Sequence, residues 1–186
     1  MPDEVERWAA EARALHAADA RSRERWLRRQ AEEGATLAGA VVDLTERRVP
    51  VVIVTTTGRR HAGTLTGVGE DFVAVRTSPS HTALVAMAAV SAVHPTPHGH
   101  VAAVPVTGAD DPREALLDVM LSDVLAQAAG HRPRVQVHFQ GGSEPVAGEL
   151  HAVGVDVLTL RTAPPFAGFA YLRLASVSEI SLLDSG

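Results

Sequence analysis

The amino-acid sequence predicts an α+β protein in which a long N-terminal helix precedes two tandem units, each made of a capping helix and five short β-strands. Three observations lead to this prediction. The first part of the chain has apolar residues at helical spacing, two later stretches change to short β-branched segments, and those two stretches resemble each other in sequence.

The N-terminal helix is predicted from Asp3 to Glu33. Asp3 is a suitable N-cap, and Glu6 follows it at the spacing of a capping box. Gly34 interrupts the helical pattern. A second amphipathic stretch, Thr36–Arg47, precedes Pro50, which a helix interior does not tolerate. We therefore expect a helical arm and then a separate helix that caps the first set of strands.

Short strands are predicted after Pro50, because β-branched and alternating apolar segments recur at close spacing. The segments are Val51–Thr57, His61–Val68, Phe72–Thr77, Thr82–Met87 and Ser91–His94. Short strands so closely spaced are typical of a strongly bent antiparallel sheet or a small barrel.

Pro95–Ala109 is predicted to be a linker because it is rich in Pro and Gly. Asp111 and Pro112 then match the N-cap and first position of a second helix, which we expect to end near Gly130. Its predicted apolar face contains Leu116, Val119, Met120 and Val124. The predicted boundaries are 1–34 for the helical arm, 35–95 for the first unit, 96–110 for the linker and 111–183 for the second unit.

The chain contains an internal repeat. Residues 63–77 (GTLTGVGEDFVAVRT) align with residues 148–162 (GELHAVGVDVLTLRT) at an offset of 85, and seven of the fifteen positions are identical. Upstream, Pro50 aligns with Pro133, and downstream Val90–Val93 aligns with Val177–Ile180. We expect the first glycine of each copy to stand where a side chain would crowd the bent sheet, and the second glycine, with positive φ, to form a turn with the aspartate. These residues are Gly63, Gly69 and Asp71 in the first copy, and Gly148, Gly154 and Asp156 in the second.

The repeated pattern Gly-x-Leu-x-x-Val-x-x-Asp-x-Val/Leu-x-Val/Leu, in strands that follow a helix, resembles the Sm-like small barrel of Sm, LSm and Hfq proteins. The resemblance covers roughly residues 36–94 and 111–182 and implies two closed five-stranded barrels. In RNA-binding Sm proteins an Asn follows the acidic residue, but Ala74 and Thr159 fall at or near that position and the chain has no Asn. The layout also resembles that of actinobacterial proteins of this size, which implies no activity.

Composition excludes several classes of chemistry. The chain has no Cys and no Lys, so disulfides, thiolate nucleophiles, Cys-based zinc sites and P-loop or Schiff-base chemistry are excluded. We find no catalytic or cofactor motif and expect a non-enzymatic protein without a cofactor. The longest nearly apolar run, Ala83–Val93, is too short to span a bilayer, so we expect a cytoplasmic protein with no membrane partner.

Arginines are the candidate contacts with nucleic acid or a protein partner, because all 17 basic residues are Arg and Arg binds phosphate and carboxylate groups in a bidentate manner. The candidates are Arg59, Arg60, Arg76 and Arg161 in the repeats, and Arg25 and Arg28 in the N-terminal helix. The alternative is that each pairs with a neighbouring carboxylate.

Histidines are the remaining candidates for chemistry. The run His94, His98 and His100 has the density of a metal site, but its prolines hold the chain extended and it contains no carboxylate, so no metal site is predicted. His138 and His151 are expected to point outward on neighbouring strands as a surface pair.

The sequence favours two functions well ahead of a third, a metal-dependent enzyme built on the histidines. The first is a self-associating interaction or scaffold protein that uses edge strands for pairing, in agreement with the net charge of −5. The second is an RNA- or DNA-binding regulatory protein that uses arginines of the first unit and the N-terminal helix.

Overall fold

The structure is a computed structural model that describes residues 23, 24, 26, 30, 34–96, 118–142 and 144–183. The chain divides into two units at the Ala40–Val41 bond, which lies inside the helix Leu37–Glu46. All ten strands belong to the second unit.

The strands form one antiparallel sheet in the order β5-β1-β2-β3-β4-β10-β6-β7-β8-β9. The first five are β1 (Pro50–Thr55), β2 (Arg60–Val68), β3 (Phe72–Ser78), β4 (His81–Ala86) and β5 (Val90–Pro95). The second five are β6 (Arg134–Phe139), β7 (Val146–Val153), β8 (Val157–Thr162), β9 (Gly168–Arg173) and β10 (Val177–Leu183). Two α-helices have bounds among the described residues, α1 (Leu37–Glu46) and α2 (Leu121–Ala129), and 3-10 turns stand at Met87–Ala89 and Leu174–Ser176.

Each half of the sheet repeats the same pairing order. In the first half the order is β5-β1-β2-β3-β4, and in the second it is β10-β6-β7-β8-β9. The halves are joined because β4 pairs with β10, with Leu84 opposite Ile180. We call this pairing the internal junction. It leaves β5 and β9 at the two ends of the sheet, each with one strand neighbour among the described residues.

The predicted fold class is wrong. Closing two five-stranded barrels would require β4 to pair with β5 and β9 to pair with β10, but β10 occupies the free edge of β4 instead. The result is an open ten-stranded sheet, so the chain is mostly β and is not a tandem of closed Sm-like barrels. Strand periodicity was read correctly in each half, but it does not specify which edge strands meet.

The helices also differ from the prediction. The first helix in the described element order is α1, and the structure does not show a long N-terminal helix. Most of residues 3–33 lie outside the described residues. The four that are described, residues 23, 24, 26 and 30, are helical. The second helix begins at Leu121 after the extended N-cap Met120, and the predicted N-cap Asp111 lies outside the described residues. Its buried residues are Leu121 and Leu125, so the predicted face was misplaced by about one residue.

The two helix–strand connections are equivalent in structure. Arg48 follows α1 with φ 52° and Arg132 follows α2 with φ 50°, which is an uncommon conformation for residues other than glycine. The start of β1 is therefore equivalent to the start of β6, at an offset of 84 residues. Pro50 therefore corresponds to Arg134, and the sequence alignment of Pro50 with Pro133 was one residue out of register.

Two apolar cores lie on opposite faces of β3. Val73 and Val75 pack in the core of the first half, whereas Phe72 and Ala74 pack in the core of the second half. Successive residues of a strand point to opposite faces, so β3 is buried on both sides. The second half therefore covers a face that the first half does not cover itself.

Gly63 and Gly148 occupy matched positions where the backbone of a neighbouring strand approaches closely. A Cβ at Gly63 would lie 2.1 Å from the carbonyl oxygen of Arg76, and one at Gly148 would lie 2.7 Å from that of Arg161. Gly69 and Gly154 do not have positive φ. Glycine is required at these two positions for a steric reason as well, because a Cβ at Gly69 would collide with the Phe72 ring.

We expect Gly63→Ala to lower the free energy of unfolding by roughly 1–3 kcal/mol, because the added methyl group collides with backbone that cannot move alone. Gly130→Ala is the matched control, since its Cβ would meet only one atom, at 3.5 Å. Urea unfolding measures both. Equal midpoints for the two variants would contradict the steric explanation.

Candidate functional site

A buried cluster of ionisable side chains lies at the internal junction. Glu179 of β10 has no exposed surface. Its Oε1 accepts a hydrogen bond from Arg59 Nε at 2.6 Å, and its Oε2 accepts one from His61 Nε2 at 2.5 Å. The Nε2 atom of His138 lies 3.8 Å from Oε1, too far for a hydrogen bond. Arg59 and His61 belong to the first half, so the cluster ties the two halves together.

The fold brings these residues together from distant parts of the chain. Arg59 follows Gly58, whose φ of 81° makes the tight connection between β1 and β2. His61 lies on β2 opposite Ile53 of β1. Glu179 lies on β10 opposite Val85 on one side and His138 on the other. The contact between Arg59 and Glu179 therefore exists only when the internal junction has formed.

Hydrogen bonds keep Glu179 ionised in spite of its burial. Burial alone would raise the pKa of Glu179, but the hydrogen bonds and charges of His61 and Arg59 outweigh it, so the pKa lies below its ordinary value. An ionised carboxylate only accepts, so His61 Nε2 carries the proton of their hydrogen bond. Burial and the Arg59 charge lower the pKa of His138, although Glu179 acts in the opposite direction.

The chemistry of this cluster is that of a buried ion pair. Among the described residues, no group of three or more His, Asp or Glu side chains is arranged to hold a metal ion. The buried side-chain atoms without a hydrogen-bond partner in that part of the chain are His138 Nε2 and Ser178 Oγ, both next to Glu179 in the sheet. Removing one partner of such a pair leaves a buried charge uncompensated, which is costly. The cluster therefore makes correct assembly of the junction strongly preferred.

A second contact across the junction involves the repeated aspartate. The Asp71 carboxylate, in the turn between β2 and β3, accepts a hydrogen bond from the Leu121 N–H at 2.7 Å. In the same turn the Glu70 N–H donates to the Val119 carbonyl at 3.0 Å. Asp71 thus satisfies a free N–H at the start of α2. A cavity of about 590 Å³ adjoins these residues and extends to Asp156.

Positions that are buried at the internal junction are exposed at their matched positions elsewhere. Leu84 of β4 is 4% exposed, whereas the matched Tyr171 of β9 is 72% exposed. Leu121 at the start of α2 is 3% exposed, whereas the matched Leu37 at the start of α1 is 40% exposed. Phe169 of β9 is also exposed and packs on the His151 ring with centroids 4.9 Å apart. The β9 end of the sheet thus presents an aromatic surface to solvent.

The predicted arginines that the structure describes do not come together in one cluster. Arg59 is paired with Glu179, and Arg60 is exposed at the start of β2. Arg76 is half-buried on β3, opposite Thr64. Arg161 is exposed on β8 opposite Glu149, and both line a pocket of about 330 Å³ with Arg134. The remaining candidates in the N-terminal segment, Arg25 and Arg28, lie outside the described residues.

The histidines also differ from expectation. His138 is buried beside Glu179, whereas His151 is exposed and contacts Phe169, so the two do not form a surface pair. His94 is exposed on β5, and the other two histidines of its run lie outside the described residues. Glu179 and His61 are not among the residues predicted from the sequence. The available signal was a single carboxylate inside an otherwise uncharged strand, at a position where the first copy has Ala92.

No protein-family model matches the chain, and no curated protein matches it. The resemblance to Sm-like proteins therefore has no support from these comparisons, and the open sheet contradicts it. No helix in the described part of the chain is long and apolar enough to cross a membrane.

We expect stability to fall in two steps as the pH decreases. The pKa of His138 in the folded chain is below its ordinary 6.5, so the unfolded chain binds that proton first, and stability falls as the pH drops from 6.5 toward the lowered value. The pKa of Glu179 is below its ordinary 4.5, so the stability that it contributes above 4.5 is lost as the pH falls through the lowered value. Urea unfolding at a series of pH values measures both steps.

His138→Gln should remove the step that begins near pH 6.5, whereas His131→Gln, at an exposed position, should leave it in place. If the His138 variant retained the full step, the assignment to His138 would be wrong.

Arg59→Ala should lower the free energy of unfolding by roughly 1–2 kcal/mol, because Glu179 keeps its buried charge and loses one charged hydrogen bond, while the exposure of Arg59 limits the effect. Arg60→Ala changes the adjacent exposed arginine and should be nearly neutral. Thermal or urea unfolding of the two variants makes the comparison. Similar losses in both would mean that the ion pair contributes nothing specific.

Proposed function

We propose that this protein is a non-enzymatic interaction protein that self-associates head to tail, with strand β9 of one copy pairing with strand β5 of the next. We call this contact the outer junction. The observation that carries the proposal is the internal junction, in which the strand matched to β9 already pairs with the strand matched to β5.

The equivalence of the strands supports the outer junction. Strand β4 and strand β9 are both the last strand in the pairing order of their half, and β10 and β5 are both the first. Antiparallel pairing of β9 with β5 would repeat, between two molecules, a contact that the chain makes within itself. An unpaired edge strand has N–H and C=O groups ready for such pairing.

The exposed side chains support the same contact. Tyr171 and Phe169 give the β9 edge an aromatic character that is typical of interfaces, and large exposed apolar patches on a protein indicate an interaction site. On the opposite edge, Ser91 of β5 is exposed, whereas its match Ser178 of β10 is completely buried at the internal junction. Both edges thus expose positions that the matched junction covers.

Head-to-tail association uses two different surfaces, so each copy retains one free edge after binding. Such a heterologous contact extends into a ring or a filament, depending on the rotation between copies. The proposed biological role is that of a scaffold whose size depends on concentration.

The nucleic-acid function that the sequence left open stays a prediction. Glu179 pairs with Arg59, and Glu149 lies opposite Arg161 on the neighbouring strand. Both carboxylates weaken the attraction of these arginines to phosphate. The cytoplasmic location also stays a prediction.

The test is light scattering coupled to size exclusion over a range of concentrations. We expect the wild-type mass to exceed the 19.6 kDa of one chain and to rise with concentration. Tyr171→Asp should block the β9 edge and Ser91→Arg the β5 edge, so each variant should be monomeric. Neither change should unfold the chain, because both positions are exposed.

Mixing the two variants distinguishes a head-to-tail contact from a symmetric one. Tyr171→Asp retains an intact β5 edge, and Ser91→Arg retains an intact β9 edge, so the mixture should form one junction and a heterodimer. His131→Asp, at an exposed position after α2, is the control and should associate like the wild type. A wild-type protein that stays monomeric at every concentration would overturn the proposal, and so would association unchanged by Tyr171→Asp.

A further inference from the structure

The turn between β7 and β8 has the same sequence pattern as the turn that holds the start of α2. In the first half the Glu70 N–H and the Asp71 carboxylate bind residues 119–121 of the second half. The matched residues in the second half are Val155 and Asp156, and both are exposed, Val155 completely. No described residue of the same chain donates a hydrogen bond to the Asp156 carboxylate as the Leu121 N–H does to the Asp71 carboxylate.

The chain also contains a segment equivalent to the one that the first-half turn binds. Helix α1 begins at Leu37 as α2 begins at Leu121, and residues 35–37 are exposed. The Thr36 hydroxyl accepts the Gly39 N–H at 3.0 Å, but the Leu37 N–H precedes the hydrogen-bond ladder of the helix and can take an external acceptor. A carboxylate at this place also interacts favourably with the helix dipole.

We propose that the Gly154–Asp156 turn of one copy receives residues 35–37 of the next copy, with the Asp156 carboxylate accepting the Leu37 N–H and the Val155 N–H donating to the Ala35 carbonyl. This inference rests on the proposed head-to-tail association and specifies a second contact within it. It explains why Leu37, at the start of an amphipathic helix, is exposed where Leu121 is buried. In the outer junction, Leu37 would pack beside Val157 as Leu121 packs in the core that contains Phe72.

The contact can be tested by cross-linking, because the chain has no cysteine of its own. Ala35→Cys and Val155→Cys are made as separate variants, mixed, and treated with a short bis-maleimide. We expect a cross-linked dimer in the mixture and little in either variant alone, because each variant carries only one of the two cysteines of the proposed contact. Glu70→Cys with Val119→Cys in one chain is the positive control for the geometry, since their backbones are hydrogen-bonded.

His131→Cys mixed with Val155→Cys is the negative control, because His131 is exposed after the end of α2. If the Ala35 and Val155 mixture cross-links no more than this control while light scattering still shows association, the turn contact is wrong and the proposed function stands. If association itself is absent, both are wrong.

A second measurement examines the carboxylate. Asp156→Ala should weaken self-association about tenfold, as expected for one hydrogen bond to a charged group, and leave the unfolding midpoint of the monomer unchanged. Glu46→Ala, an exposed carboxylate at the other end of α1, should leave association unchanged. Equal affinities for these two variants and the wild type would overturn the role assigned to Asp156.

Discussion

The pairing of β4 with β10 is the interaction on which the rest of the structure depends. It converts two sets of five strands into one sheet and buries the second face of β3, where Phe72 and Ala74 enter the core of the second half. It also brings Glu179 to Arg59 and Asp71 to the start of α2. Without this pairing, the two halves would each retain a strand order but would share no core, and these polar contacts would not exist.

The ionic cluster makes the internal junction different from any junction between copies. The positions matched to Glu179, His61 and His138 are Ala92, Val146 and Val54, so the outer edges cannot repeat the cluster. A buried carboxylate is tolerated only with its partners in place, and a wrong edge pairing would leave Glu179 without Arg59 and His61. The cluster thus favours pairing within the chain, and the outer edges, where Ala92 stands in place of the buried carboxylate, are available for the proposed pairing between chains.

The sequence predicted local structure better than assembly. All five strands of the first half and the repeat in the second were placed close to their observed bounds, because strand alternation and the Gly63 and Gly148 pattern are local signals. The error concerned closure, because periodicity defines the two faces of a strand but not the neighbour at its edge. Glu179 was missed for the same reason, since its partners are 118 and 120 residues away and no local pattern predicts that they meet.

The comparison of the two junctions also indicates how strongly copies should bind. The internal junction forms within one chain, so it has no cost of bringing separate molecules together, and it has the ionic cluster in addition. The proposed outer junction would have to offset the lost translational and rotational freedom with backbone pairing, the exposed aromatic rings and the Asp156 turn alone. We therefore expect the outer junction to be weaker than the internal junction. Assembly would then depend on protein concentration, whereas the folding of each copy would not.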